Sequence, residues 1–278
     1  ILCDEQDEMG GALLNETRAR IDGADASAWV ACVLADLASR PNVRLLPRTQ
    51  AFGYYAQNLI GLNEVVTEAE RAAHPDAPRE RMWQGRARGG GVAAGALGGP
   101  PGVPPHDRPA INRYGEVVGE RVVVATAHDS AYRAALDLHA AGVAVALIAD
   151  LRQQADGALP QAARAAGLRV VTGATIHGAL GKTRVSAVKA SGAGMTLETV
   201  SCDALLMSGG WTPSVHLFSQ SRGKVVWEEA RGMFLPGASV QRERSAGACR
   251  GVFGLAAALA DGARAGADAA SRAGFAVE

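Results

Sequence analysis

The chain has 278 residues, a formal net charge of zero and an apolar fraction of 48%, with aromatics at only 5%. That length holds one large or two modest domains, and the charge balance gives no drive toward nucleic acid or an anionic membrane. No apolar run approaches the roughly 20 residues of a membrane span, and no signal peptide is visible. Plentiful Ala and Gly with few aromatics suit helices packed on a parallel sheet, an α/β class. Cys3, Cys32, Cys202 and Cys249 are widely spaced with no CxxC pair, so they read as inert thiols of a reducing cytoplasm, with no metal site.

The first fourteen residues run from an apolar strand stub through acids to a glycine pair and a second apolar stretch. In a dinucleotide-binding βαβ unit an acid closing the second strand takes the ribose hydroxyls, and Asp4 or Glu5 stands in that place. Gly10 and Gly11 follow. A short strand and a surface loop would leave the same trace. The first strand and its glycine fingerprint would lie about 20 residues upstream.

Residues 26–39 have helical periodicity, with Trp29, Val33 and Leu37 on one face, Ser27 as N-cap and Pro41 beyond the end. A short strand at 43–46 follows. Residues 51–66 read as one or two strands of a small antiparallel insertion, and 68–81 as a loop. Residues 85–110 are too rich in Gly and Pro for a central strand or helix. They read as a flexible linker or as a locally corrupted reading frame.

The pattern then becomes regular. Residues 121–126 form an apolar strand, 130–141 a helix with Ala131, Ala134, Ala135 and Leu138 inward, and 143–149 a second buried strand closed by Asp150. Asp129 or Ser130 caps that helix and Gly142 ends it. This is a βαβ unit without a phosphate cradle: residues 125–130 all carry a Cβ, and Asp129 sets a negative charge where a phosphate would sit. His128 reads as a ligand contact or base, or as a solvated loop histidine. A helix at 160–166, a strand at 169–172 and a hairpin around 191–194 follow. The strand at 202–208 runs into Gly209-Gly210-Trp211-Thr212-Pro213, either a close backbone approach to a flat group or a plain tight turn. Last, Gly247 and Gly251 lead into an Ala-rich helix at 252–265 whose N-terminus can face an anion. No spacing points to a catalytic residue.

Several stretches carry a resemblance. They are Asp4-Glu5-Gln6 with Gly10-Gly11, the run 47–55, Asn112-Arg113-Tyr114-Gly115, and the longer runs 129–138, 206–213 and 216–224. The element order resembles two-domain pyridine-nucleotide disulfide oxidoreductase-like flavoproteins. More closely, these runs resemble the alpha subunit of heterotetrameric sarcosine oxidase.

That resemblance implies two Rossmann-like three-layer units of the FAD/NAD(P)-binding type, the first incomplete. Its parts would be residues 1–115 plus 203–278, with a second unit at 116–202 inserted. It implies NAD in this subunit, with Asp4, Glu5, Gly10, Gly11, Gly209, Gly210, Gly247 and Gly251 as cofactor-binding residues. FAD and FMN would belong to the complex, tetrahydrofolate to a domain absent here, and the partners would be beta, gamma and delta subunits. The reaction would be oxidation of sarcosine to glycine with oxygen as acceptor. Opine- or proline-oxidising complexes have related subunits, and a non-catalytic Rossmann-like scaffold is a further alternative.

Departures from the family pattern are the missing upstream fingerprint, the altered segment 89–105, about a dozen residues deleted before Asn112, and an end before any folate domain. Ala248 stands where a flavin-binding relative carries Asp, which fits NAD. An isolated copy is expected to hold a dinucleotide weakly.

Overall fold

The computed structural model describes residues 1–68, 72, 80–86, 93, 94, 111, 112 and 115–276. The chain forms two compact units, one of Ile1–Pro101 with Thr212–Glu278 and one of Gly102–Trp211.

The first unit opens with β1 (Leu2–Cys3), a two-stranded ribbon of β2 (Arg20–Ile21) and β3 (Ala24–Asp25), helix α1 (Ala26–Ser39) and β4 (Leu45–Leu46). An antiparallel sheet of β5 (Thr49–Tyr55), β6 (Leu59–Val65) and β7 (Glu80–Arg86) follows, and then β8 (Ala93–Ala94). β1 pairs in parallel with β4 on one side and β8 on the other. The α1 boundaries match the sequence expectation, but its buried stripe centres on Ala26 and Val30, and the N-cap is Asp25 rather than Ser27. Gly10 is the reason α1 lies so close to the N-terminal loop: at φ +138° an added Cβ would fall 2.8 Å from Val30 Cγ1. The antiparallel insertion has three strands. Its third begins at Glu80, within the stretch 68–81 expected as a loop, because register with β6 pairs Val65 with Glu80. Residues 69–71 and 73–79 of that stretch, and the Gly/Pro-rich segment apart from residues 85, 86, 93 and 94, lie outside the described residues.

The second unit holds β9 (Arg121–Thr126), α2 (Ser130–Ala140), β10 (Ala144–Asp150), α3 (Ala158–Ala165), β11 (Val170–Val171) and the antiparallel trio β12 (Thr175–Leu180), β13 (Ala187–Gly192) and β14 (Met195–Ser201). It closes with β15 (Ala204–Ser208). The parallel sheet runs β11-β10-β9-β15. Its strands are continuous apolar runs because both faces are covered. Val122, Val124 and Ile148 pack with Tyr132, Ala135 and Leu138 on the helical side. Val123, Leu147 and Ala149 pack with Val188, Ala190 and Val200 of the antiparallel layer. Each fully buried Val, Leu or Ile adds about 1.5–3 kcal/mol, so this three-layer core is the main source of the unit's stability. The boundary expected at residue 203 is corrected here: β15 pairs with β9 from Ala204↔Val122 to Ser208↔Thr126, so this strand belongs to the second unit.

The chain then returns to the first unit as α4 (His216–Gln220), β16 (Val225–Glu228), β17 (Met233–Pro236), a 3-10 turn at Gly247–Arg250 and α5 (Leu255–Arg272). Leu217 packs against the cluster of Cys3, Leu46, Ala51 and Leu62. Gln220 Oε1 accepts the Tyr54 backbone N–H at 2.8 Å. The C-terminal segment therefore packs against the N-terminal sheets, the order that a domain inserted between two parts of another requires.

Candidate functional site

The two acids at the end of β1 have opposite surroundings. Asp4 is buried, its Oδ1 accepts the Gln6 backbone N–H at 2.9 Å, and its carbonyl accepts the Thr49 N–H at 2.7 Å. Burial pushes its carboxyl above the usual range. Glu5 is exposed. Of the two, Glu5 has the carboxylate free to meet a ligand hydroxyl, while Asp4 holds the turn. Gly10 and Gly11 both take positive φ and form the bend that leads into a 3-10 turn at Gly11–Asn15.

The glycine corner near the C-terminus differs from the expectation. Gly247 and Gly251, at φ +66° and +83°, bracket a separate 3-10 turn, and helix α5 starts four residues beyond Gly251 with Gly254 as N-cap. The Gly247 N–H is spent on Asp261 Oδ2 at 2.9 Å, so it does not face a ligand. Asp261 is buried and also takes Arg250 Nη1 and Arg264 Nη2, each at 3.1 Å. These donors, the Gly247 N–H first, hold its carboxyl below the usual range despite burial. A cavity of about 190 Å3 opens beside this corner. Ser239, Arg244, Ser245 and Arg250 supply its polar lining, and Phe218, Pro236 and Gly237 close the wall. Next in the chain to Arg244, both carboxylate oxygens of Glu243 are shielded from solvent without a partner among the described residues.

Gly209 and Gly210 fall in the second unit, apart from the other six expected site residues. They end β15 where the strand order of the parallel sheet reverses, which is where open α/β sheets bind ligands. At that edge the start of α2 is engaged by the protein's own groups. The Ser130 backbone N–H donates to His128 Nδ1 at 3.2 Å, and Trp211 Nε1–H donates to Ser130 Oγ at 3.0 Å. Gly210, at φ +104°, lies so near that an added Cβ would approach His128 Cβ to 3.3 Å. His128 thus caps the first turn of α2, a role that its loop position in the sequence did not reveal.

One strand over, Asp150 is sealed. Its carboxylate accepts Tyr132 Oη–H at 2.7 Å, the Arg152 backbone N–H at 2.9 Å, Arg152 Nε–H at 3.0 Å and Arg152 Nη2–H at 2.7 Å. Arg152 Nη2 also reaches Asp129 Oδ1 at 2.7 Å. Burial alone would raise the Asp150 carboxyl; the hydrogen bonds from Arg152 and Tyr132 outweigh it and bring it below 3.8. Burial and the bond to Asp150 push the Tyr132 hydroxyl well above the usual phenol range. Asp129 therefore serves Arg152 and makes no side-chain cap to α2. The signal for this network was present in the sequence as an acid closing a strand with Arg two residues on.

No cluster of three or more metal-ligating side chains occurs among the described residues. Among the described residues no helix is long and apolar enough to cross a membrane.

No protein-family model matches the chain. Single relatives do. Sarcosine oxidase subunit alpha of Corynebacterium sp. (strain P-1) is 38% identical over 298 residues, covering 99% of this chain and 30% of that protein. The same subunit of Rhizobium meliloti (strain 1021) is 36% identical over 273 residues, covering 95% and 27%. Over nearly its whole length, the chain is homologous to part of a sarcosine oxidase alpha subunit. It spans about 30% of the length of the curated relatives it matches.

Two solved structures show the same fold. One is L-proline dehydrogenase from P. horikoshii, with a TM-score of 0.68 at 14% identity, covering all of this chain and 51% of that one. The other is T. acidophilum thioredoxin reductase, with a TM-score of 0.62 at 16% identity, covering 97% and 89%. The α/β fold of this chain is therefore the one these two proteins share, as the element order in the sequence implied.

Proposed function

We propose that this chain is the NAD-holding part of the alpha subunit of a cytoplasmic flavoenzyme complex that oxidises sarcosine to glycine with oxygen as acceptor. The kinship to alpha subunits at 38% identity over 99% of the chain carries the reading. In it, the exposed Glu5 carboxylate at the end of β1 accepts the adenosine ribose hydroxyls. The bend at Gly10 and Gly11 lets α1 pack beside it, and the Gly247–Gly251 corner lines the same cofactor region. Asp4 positions Glu5 by holding the turn to Gln6 and Thr49. The flavins, FAD and FMN, belong to the assembled complex and supply its two-electron acceptor. Beta, gamma and delta subunits are the partners, and tetrahydrofolate would take up the one-carbon product outside this chain.

For the second unit a scaffold role is favoured by a specific observation. Its first-turn N–H at Ser130 is already bonded to His128, and its strand-end acid is sealed by Tyr132 and Arg152. This unit packs and supports; it does not hold the dinucleotide.

The test is co-expression of the full-length protein with its partner subunits. Sarcosine-dependent oxygen uptake is expected, with NAD released on acid denaturation. Glu5→Gln should lower NAD content at least several-fold while leaving assembly intact. A complex that turns over sarcosine with no NAD bound would overturn the cofactor assignment. Oxygen uptake with another secondary amine only would overturn the substrate.

A further inference from the structure

We propose that the cavity beside the glycine corner of the first unit binds a phosphate-sized oxyanion through Arg244, Arg250, Ser239 and Ser245. This goes beyond the dinucleotide reading and does not rest on it.

The first argument is charge. Asp268 is shared by Arg244 and Arg272, and Asp261 by Arg250 and Arg264, so four guanidiniums meet two carboxylates. Both carboxyls are held below the usual range by these bonds and, for Asp261, by the Gly247 N–H. They are ionised at neutral pH, and the count of charges stands. Even with the Glu243 carboxylate subtracted, the cluster keeps an excess of positive charge. Two of the four guanidiniums, those of Arg244 and Arg250, line the cavity.

The second argument is preorganisation. Arg244 is fixed at both ends of its guanidinium, Nε to Asp268 Oδ2 at 3.0 Å and Nη1 to the Glu243 carbonyl at 2.7 Å. Arg250 is fixed through Nη1 to Asp261. Among the described bonds, Arg244 Nη2 and Arg250 Nε and Nη2 are uncommitted donors. A guanidinium already held by a carboxylate loses little further freedom when an anion arrives, and planar N–H pairs match phosphoryl oxygens.

The third argument is shape. One water needs roughly 10–15 Å3 of cavity space, so a cavity of about 190 Å3 has room for a tetrahedral oxyanion with part of its hydration. The wall at Gly237 is obligatory, since an added Cβ would fall 2.6 Å from the Lys224 carbonyl oxygen. The turn carrying Ser245 and Arg250 is fixed in turn by the Gly247 N–H on Asp261.

The experiment is calorimetric titration of inorganic pyrophosphate and orthophosphate into the full-length protein. Saturable binding is expected for the wild type, weakened about tenfold in Arg250→Gln for the loss of a charge-assisted donor pair. Ser245→Ala keeps every arginine–aspartate pair and should weaken binding several-fold, which guards against a misfolded arginine variant. Arg169→Ala, in the second unit, should bind as wild type does. Absence of saturable pyrophosphate binding, or binding as tight as wild type in both Arg250→Gln and Ser245→Ala, overturns the proposal. A competition arm assigns the source. Displacement of pyrophosphate by NAD makes the anion the dinucleotide's own, and independent binding makes it a free anion. Pyrophosphate binding with no NAD binding would sink the dinucleotide reading alone.

Discussion

Replacing Tyr132 by Phe isolates one bond in the sealed network of the second unit. Tyr132 and Asp150 are both fully buried, and the bond between them is 2.7 Å. The ring packs with Val122, Val124, Ala135 and Leu138, and Phe keeps those contacts, so no apolar burial is lost. What is lost is one hydrogen bond to a charged acceptor, worth about 1.5–3 kcal/mol. Arg152 continues to give Asp150 three N–H donors, which limits the penalty to the lower part of that range. Asp150→Ala is expected to cost more, about 3–5 kcal/mol, because it strands a buried phenol and half of the Arg152 pairing. The assay is urea denaturation followed by hydrogen exchange of the β10 and α2 amides, since two compact units need not unfold together. The two changes must also be coupled: Tyr132→Phe should cost little in the Asp150→Ala background. A Tyr132→Phe protein within about 0.5 kcal/mol of wild type would refute the reasoning, given that surface changes commonly fall in that range. So would an equal cost in both backgrounds.

The same network sets a pH window. The Asp150 carboxyl lies below its ordinary 3.8 when folded, so its contribution is full above about pH 4 and is lost as pH falls further. The Tyr132 hydroxyl lies above its ordinary 10, so its contribution is full below pH 10 and is lost as pH rises beyond it. A stability–pH profile should fall at both ends; Tyr132→Phe should flatten the alkaline end and, by removing one of the bonds that lower the Asp150 carboxyl, also lessen the acid fall. Gly10→Ala should destabilise the first unit by about 1–3 kcal/mol through positive φ and the clash with Val30 and Leu14, read by urea denaturation. Leu62→Ala, at a fully buried position, should cost about 2–5 kcal/mol in the same assay. Thiol labelling of the native protein should modify the exposed Cys32 first, with the buried Cys3 and Cys202, whose thiols burial pushes up, reacting only after unfolding.

Continuous apolar strands and Ala-faced helices were legible in the sequence because burial on both faces writes itself as composition. Strand 121–126, helix 26–39 and the hairpin at 191–194 were read nearly to the residue. What was not legible was membership. The strand at 204–208 has no local mark of the sheet it joins; only its pairing with β9 places it in the second unit. The hairpin β16–β17 is equally unmarked in the sequence. It carries Val225, Val226, Trp227 and Phe234 largely exposed, so it lacks the alternation that a half-buried strand would show. At the glycine corner, sequence spacing put glycines ahead of a helix, but only coordinates reveal that the Gly247 N–H is spent on a carboxylate fourteen residues on.

An acid closes a parallel strand in both units, after β1 and after β10, and the two have different environments. After β1, the inner carboxylate of Asp4 is used up by the turn, and Glu5 is left in solvent with its acceptors free. After β10, the corresponding Asp150 is fully buried and engaged by Tyr132 and Arg152. A ribose hydroxyl arriving at Asp150 would have to displace charge-assisted bonds of 2.7 Å inside the core, whereas at Glu5 it displaces only water. On the proposed reading the same motif position serves recognition in one unit and stability in the other, and what separates them is that a tyrosine and an arginine reach Asp150. Tyr132→Phe together with Arg152→Ala should therefore free the Asp150 carboxylate without creating a ribose site, because His128 and Trp211 still occupy the first turn of α2.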